Sequence, residues 1–176
     1  MKTKSLLFAL CLSLTQVVSG QWVQSTAADA LGLQAVCFAD ATTAYTVGWS
    51  GALYKSTDSG VNWTSQSGAT AFNTFDMYGV AFSDANTGIA VGDLGKIYKT
   101  IDGGANWTIK TSGTTQSLQG VTILSNGTTA LAYGASGTVL VSIDAGETWS
   151  AAASPTSQQI NAIAPAPGVE TTLYLA

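Results

Sequence analysis

The chain contains no histidine and no arginine, and its 176 residues carry only six lysines. Each absence excludes a class of chemistry. Without histidine there is no Ser-His-Asp triad, no His-ligated zinc and no imidazole base titrating near neutrality. Without arginine nothing grips a carboxylate or phosphate with a rigid fork; lysine is a single charge on a flexible stem. Charged residues are 9% of the sequence, and acids outnumber bases ten to six. An acidic surface short of cations is a poor partner for nucleic acid or anionic membrane.

Long apolar runs are equally scarce. One opens the chain: Lys2 and Lys4 precede "SLLFALCLSL", and the small residues of "VVSG" follow. Basic start, short apolar core and small-residue exit predict a secretory signal peptide over residues 1–20, cut after Gly20, and the run is too short for an integral membrane span. The expected location is secreted, periplasmic or cell-surface. Residues 21–176 then hold a single cysteine, Cys37, so no intrachain disulfide forms within them. In "LQAVCFAD" it reads as a buried strand thiol. Four lysines (Lys55, Lys96, Lys99, Lys110) face ten acids there, a formal charge of −6. The length suits one domain.

What the chain does have is repetition. "STDSGVNW" at 56–63 returns as "TIDGGANW" at 100–107 and "SIDAGETW" at 142–149. Glycine pairs (Gly48/Gly51, Gly92/Gly95, Gly134/Gly137) keep the same offsets, as do "LQAVCFAD", "MYGVAFSD" and "LQGVTILS" further upstream. A fourth copy starts at "INAIAPAP". Each unit of about 42 residues reads as four short strands separated by turn residues, with no helical period. Four antiparallel strands per unit of this length predict an all-β chain of β-propeller blades. The blade units fall at about 33–64, 77–108 and 118–150, with a partial one at 160–176. The first strand of each unit alternates small residues (Ala35/Cys37, Gly79/Ala81, Gly120/Thr122) with large ones (Val36/Phe38, Val80/Phe82, Val121/Ile123). The large set is expected to fill the gaps between blades.

The pattern (S/T)-x-D-x-G-x-x-W resembles the Asp-box, or bacterial neuraminidase repeat, and all three copies match at every defined position. Asp-boxes occur in sialidases, sortilin-type receptors, oligoxyloglucan hydrolases and propellers of the photosystem II assembly-factor type. The phrase "GVAFSDANTGIAVGDLGKIYKTIDGGANW" is most similar to the last group. The resemblance implies that the box is the hairpin between the third and fourth strands of a blade. The residue types fit a structural clasp. Asp58, Asp102 and Asp144 accept backbone N–H bonds at a turn, Ser56, Thr100 and Ser142 add hydroxyls, Gly60, Gly104 and Gly146 supply backbone freedom, and Trp63, Trp107 and Trp149 bury apolar surface. The spacing does not match a calcium loop, so neither metal nor cofactor is expected.

Gln21-Trp22-Val23 has the phase of an outer strand, and "TTLYLA" aligns with the second strand of a unit. The expectation is one N-terminal outer strand, three full blades and a half blade, either part of a longer protein or a partial ring open to self-association.

Strand direction alternates, so the loops between blades share a face with the loops between second and third strands, opposite the Asp-boxes. Residues departing from the repeat there are the candidate ligand-binding set: Trp49, Asp93, Phe72, Phe75, Asp76 and Tyr78. Trp49 either stacks on a ligand or lids its own blade; "AFNTFDMY", the longest inter-blade loop, is either a binding loop or blade-junction packing. Gln34, Tyr78, Gln119 and Asn161 share one repeat position near the channel mouth. A sialidase needs arginines that are absent. A glycosidase would need a carboxylate pair, for which Asp29 and Asp76 are the available loop acids. The expected function is a non-enzymatic binding or scaffold module for a protein; a carbohydrate-binding or glycoside hydrolase propeller is the alternative.

Overall fold

The computed structural model describes residues 32–66, 72, 74–166 and 169–176. The proposed signal peptide and the outer strand expected at Gln21–Val23 lie outside the described residues. The chain is an all-β propeller segment of three four-stranded antiparallel blades. Blade 1 is β1 (Leu33–Phe38), β2 (Ala44–Gly48), β3 (Leu53–Ser56) and β4 (Thr64–Ser65). Blade 2 is β5 (Met77–Phe82), β6 (Gly88–Gly92), β7 (Ile97–Thr100) and β8 (Thr108–Lys110). Blade 3 is β9 (Leu118–Ile123), β10 (Ala130–Gly134), β11 (Val139–Ser142) and β12 (Ser150–Ala151). A half blade follows, β13 (Ile163–Ala166) paired antiparallel with β14 (Val169–Leu175). Among the described residues helical structure is limited to three-residue 3₁₀ turns, and no helix there is long and apolar enough to cross a membrane.

The inner strands β1, β5 and β9 lie against one another in chain order. The second strands are buried at every position, which explains why "AYTVG", "GIAVG" and "ALAYG" carry no polar alternation. The outer strands are short, Ser/Thr-rich edges.

Because alternate residues point to opposite faces, each blade divides its apolar side chains between two interfaces. Tyr45, Val47 and Leu53 of blade 1 meet Val80, Ala90 and Tyr98 of blade 2, with Tyr45 stacked on Phe82 at 4.2 Å between ring centroids. Ala81, Ile89, Val91 and Ile97 of blade 2 meet Val121, Ala130, Ala132 and Leu140 of blade 3. Leu131, Tyr133 and Val139 of blade 3 meet Ile160 and Ile163. Each fully buried Val, Leu or Ile among them contributes about 1.5–3 kcal/mol over its exposed state. The large residues of the inner strand therefore face the preceding blade. The small ones face the following inner strand, where a Cβ at Gly79 would lie 2.8 Å from the Gly120 Cα. Cys37 is half-buried against blade 2, and burial pushes its thiol pKa up.

Candidate functional site

The three Asp-boxes form one hydrogen-bonded turn repeated on one side of the blades. In blade 1 the Ser56 hydroxyl donates to Asp58 Oδ1 (2.8 Å) and accepts the Gly60 N–H (2.9 Å). Asp58 Oδ1 accepts the Asn62 N–H (2.8 Å), and Oδ2 accepts the Asn62 side-chain amide (2.7 Å). Thr100, Asp102, Gly104 and Asn106 repeat this pattern in blade 2, and Ser142, Asp144, Gly146 and Thr148 in blade 3, where the Thr148 hydroxyl replaces the amide. Gly60, Gly104 and Gly146 hold φ of +86°, +76° and +86°, which a Cβ would penalise. Trp63 and Trp149 close the turn by donating their indole N–H to Gly60 and Gly146 carbonyls. The Trp107 N–H is instead buried without a hydrogen-bond partner, its ring set among Phe72 and Phe82.

These bonds hold the box carboxyls below the ordinary carboxylate range. The largest causes are the Asn62 N–H for Asp58, the Asn106 amide for Asp102 and the Thr148 hydroxyl for Asp144. Both oxygens of each Asp accept protein donors within the turn, so the geometry is that of a clasp. The boxes are also tied to the preceding blade. Lys55 Nζ and the Tyr45 hydroxyl both donate to the Gly103 carbonyl. Lys99, at the same repeat position as Lys55, pairs with Glu147 at 2.8 Å, and Lys110 takes the other Glu147 oxygen at 2.6 Å. The two lysines, Lys110 first, lower the Glu147 pKa.

On the opposite side, each second strand ends in a 3₁₀ turn: Trp49–Gly51, Asp93–Gly95 and Ala135–Gly137. Every turn bonds the loop entering its own blade: Trp49 N–H to Gly32 O, Asp93 N–H to Asp76 O and Ala135 N–H to Ser117 O. Each also abuts the loop entering the next blade. Gly51 N–H donates to Phe75 O, and a Cβ at Gly95 would sit 2.2 Å from Thr114 O.

The structure brings most of the sequence-predicted set to the junction of blades 1 and 2. Trp49 is half exposed, with its indole lying on Gly32 at the entrance of its own blade. Asp76 Oδ1 accepts the Ser50 N–H at 2.8 Å, which ties the entrance of blade 2 to the turn of blade 1. Asp93 Oδ1 accepts the Leu94 N–H at 2.9 Å and the Ser117 hydroxyl from the next loop. Phe75 is partly buried, with Lys96 Nζ 4.7 Å from its ring centroid. Tyr78 is the unpaired extra residue of a β-bulge, since Met77 opposes Gly92 while Gly79 opposes Val91. Burial, then the charges of Asp93 and Asp76, raise its pKa. Gln34 and Gln119 fall at the same irregularity of β1 and β9, and a bulge re-aims the residue it frees.

Phe72 is a correction. It is 2% exposed, packed on Tyr98 (4.9 Å) and Trp107 (5.3 Å), and belongs to the core between blades 1 and 2. The longest loop thus spends one of its aromatics on packing, because the indole of Trp107 offers a large apolar face at that junction. Gly32, Ser50, Lys96 and Ser117 were not legible as parts of this surface; a loop residue's partner across a blade junction leaves no local pattern. Asp29, the second acid of a glycosidase pair, lies outside the described residues. Among the described residues no group of three or more metal-ligating side chains is close enough to hold an ion.

A family model described as photosynthesis system II assembly factor YCF48 matches residues 9–99. No curated protein sequence gives a significant match. Among solved structures, the chain is similar to YCF48 bound to D1 peptide, with TM-score 0.67 and 21% identity over 79% of this chain and 45% of that one. It is similar to YCF48 from Cyanidioschyzon merolae, with TM-score 0.60 and 21% identity over 76% of this chain and 47% of that one. The GH74 enzyme of Niastella koreensis gives TM-score 0.65 and 18% identity over 82% of this chain and 26% of that one. The chain thus spans less than half the length of the YCF48 structures, and at these identities the likeness is one of fold.

Proposed function

Because the chain belongs to the photosystem II assembly factor YCF48 family, we propose that it is an exported, non-enzymatic module that binds a protein partner on the face opposite its Asp-boxes. The observation that carries this reading is a division of labour. The box carboxylates are consumed within their own turns, whereas most of the residues that break the repeat lie at one blade junction, where Trp49 stays half exposed. An exposed indole held on a glycine backbone suits an apolar anchor. Asp76, bonded to the N–H of the adjoining Ser50, suits a partner with basic groups. A relative in the family is described as bound to a peptide, which favours a protein segment as the ligand class.

A flat indole also suits a sugar ring, and this keeps a glycan as the second reading. Hydrolysis is disfavoured by chemistry: Asp76 already accepts the Ser50 N–H, and no arginine is available to clamp an acidic sugar.

Affinity capture tests the surface. Trp49→Ala should lose the partner, while Ile143→Ser, at a residue 77% exposed on the Asp-box side, should keep it. Equal loss in both, or none in either, overturns the placement. Release by soluble oligosaccharide and not by peptide would favour the glycan. Export is tested by intact mass: cleavage after Gly20 should leave Gln21 as the first residue.

A further inference from the structure

The turn between the first two strands of each blade is held by one side chain. Asp40, Asp84 and Asn126 each stand four residues before their second strand. Asp40 Oδ1 accepts the Thr42 and Thr43 N–H groups at 2.8 and 2.7 Å. Asp84 Oδ1 accepts those of Asn86 and Thr87 at 2.7 and 2.8 Å, and Asn126 Oδ1 those of Thr128 and Thr129 at 3.0 and 2.9 Å. Blade 3 therefore uses an amide where the other two blades use a carboxylate. It differs at the next position as well, where Ala41 and Ala85 give way to Gly127.

The two differences together have a chemical consequence. The backbone nitrogen that follows an asparagine can attack its side-chain amide, and glycine allows this best because no Cβ shields the nitrogen or restricts the backbone. Asn126 is exposed, and the two N–H bonds to Oδ1 polarise its Cγ. The Gly127 N–H donates to Leu124 O at 2.9 Å, so attack waits for that bond to open. Opening at an exposed turn costs far less than global unfolding. The sequence has one other acid or amide followed by glycine, Asp102–Gly103. Its ionised carboxylate, held by Thr100 and Asn106, is a far poorer electrophile than a neutral amide.

We propose that Asn126 is a site of spontaneous deamidation in the folded protein, and that the aspartate it yields holds the turn as Asp40 and Asp84 do. The Gly127 nitrogen bonds to Asn126 Cγ, the Cγ–Nδ2 bond breaks, and the Gly127 proton leaves with Nδ2 as ammonia. Water then opens the five-membered imide. Opening at Cγ restores the main chain and leaves a carboxylate whose Oδ1 takes the same two N–H bonds. The Thr129 hydroxyl, which accepts the amide at 2.9 Å, turns to donate instead. Opening at the main-chain carbonyl leaves isoaspartate, which lengthens the main chain by one atom. That misplaces Thr128, whose carbonyl accepts the Ala145 N–H of the Asp-box at 2.7 Å. The turn lies on the Asp-box side, so the proposal stands or falls separately from the binding reading.

The test uses the full chain, held folded at mildly alkaline pH and sampled by peptide mass mapping. Exchange of the side-chain NH2 for OH should accumulate at Asn126 at least about tenfold faster than at Asn62, Asn86, Asn106 or Asn161, none of which precedes glycine. Conversion no faster than at those residues, or seen only in urea, would overturn the site. Two variants test the product. Asn126→Asp should melt at the wild-type midpoint, while Asn126→Ala, which loses both turn bonds, should melt lower. A midpoint for Asn126→Asp as low as that of Asn126→Ala would overturn the claim that the aspartate holds the turn.

Discussion

The two ends of each blade solve the same problem with different materials. On the Asp-box side a buried hydroxyl and a carboxylate hold the turn, and the set recurs in all three blades within about 0.2 Å. On the other side the turns are held by backbone fit: a left-handed residue (Ser50, Leu94 or Ser136) is followed by a glycine pressed on the neighbouring loop. Side-chain bonds demand fixed residue types, so the first side repeats. Backbone contacts leave the outward side chains unspecified, so the second side is free to carry Trp49 in one blade, Asp93 in the next and Ala135 in the third.

The comparison breaks first at glycine. Gly95→Ala should lose about 2–4 kcal/mol in urea unfolding, because the new Cβ meets Thr114 O at a φ of +69°. A change below about 0.5 kcal/mol would show that the turn side is not held by close backbone approach.

The Asp-box side is probed next. Thr100→Val strands the buried Gly104 N–H and should cost about 1–3 kcal/mol. Asp102→Ala, whose carboxylate is exposed, should cost less. Neither should alter partner binding per folded molecule; a stable box variant that has lost only binding would give the boxes a recognition role.

Acid should act on the same side. Carboxyls with lowered folded pKa stabilise the fold above the unfolded value and lose that contribution as pH falls through the folded one. The clasps and Glu147 share this sign, as does the loop acid Asp40, lowered from 3.8 to about 2 by the Thr42 and Thr43 N–H groups. Thermal midpoints should be flat near neutrality and decline from about pH 4 towards pH 2. A midpoint that holds to pH 2 would show that these bonds do not stabilise the fold.

The smallest effect on stability is expected at the candidate anchor. Trp49→Ala should shift unfolding by no more than about 0.5 kcal/mol while weakening a partner by about 1–3 kcal/mol. Gly32→Ala sharpens this: its Cβ would lie 2.5 Å from the indole and displace the ring, so binding should fall with the Trp49 side chain still present. If Trp49→Ala instead unfolds the chain, the indole belongs to the fold.

Much of this was legible because Asp-box bonds span two to four residues, and a spacing of that size is visible in a linear text. The strand pattern was legible for a similar reason: alternation along β5 or β9 is local. Phe72 was not. Its neighbours Tyr98 and Trp107 are far along the chain, and a loop aromatic looks the same in sequence whether it reaches solvent or a core. Asp76 and Asp93 were legible as exceptions but not as ties between blades, because their partners Ser50 and Ser117 break no pattern.

The sequence by itself determined the period, the four strands per unit, the clasp at each Asp-box and the division of inner-strand residues into small and large. All of these follow from backbone geometry and bonds between near neighbours. Only the tertiary structure decided which blade each large residue fills, that Trp49 rests on Gly32, and that Val36 is exposed where Val80 and Val121 are buried. Those outcomes depend on how one sheet is set against the next, through contacts such as Tyr45 to Gly103 that join residues 58 positions apart. A repeat writes the same residues into every blade; the neighbour that each blade meets settles whether they are core or surface.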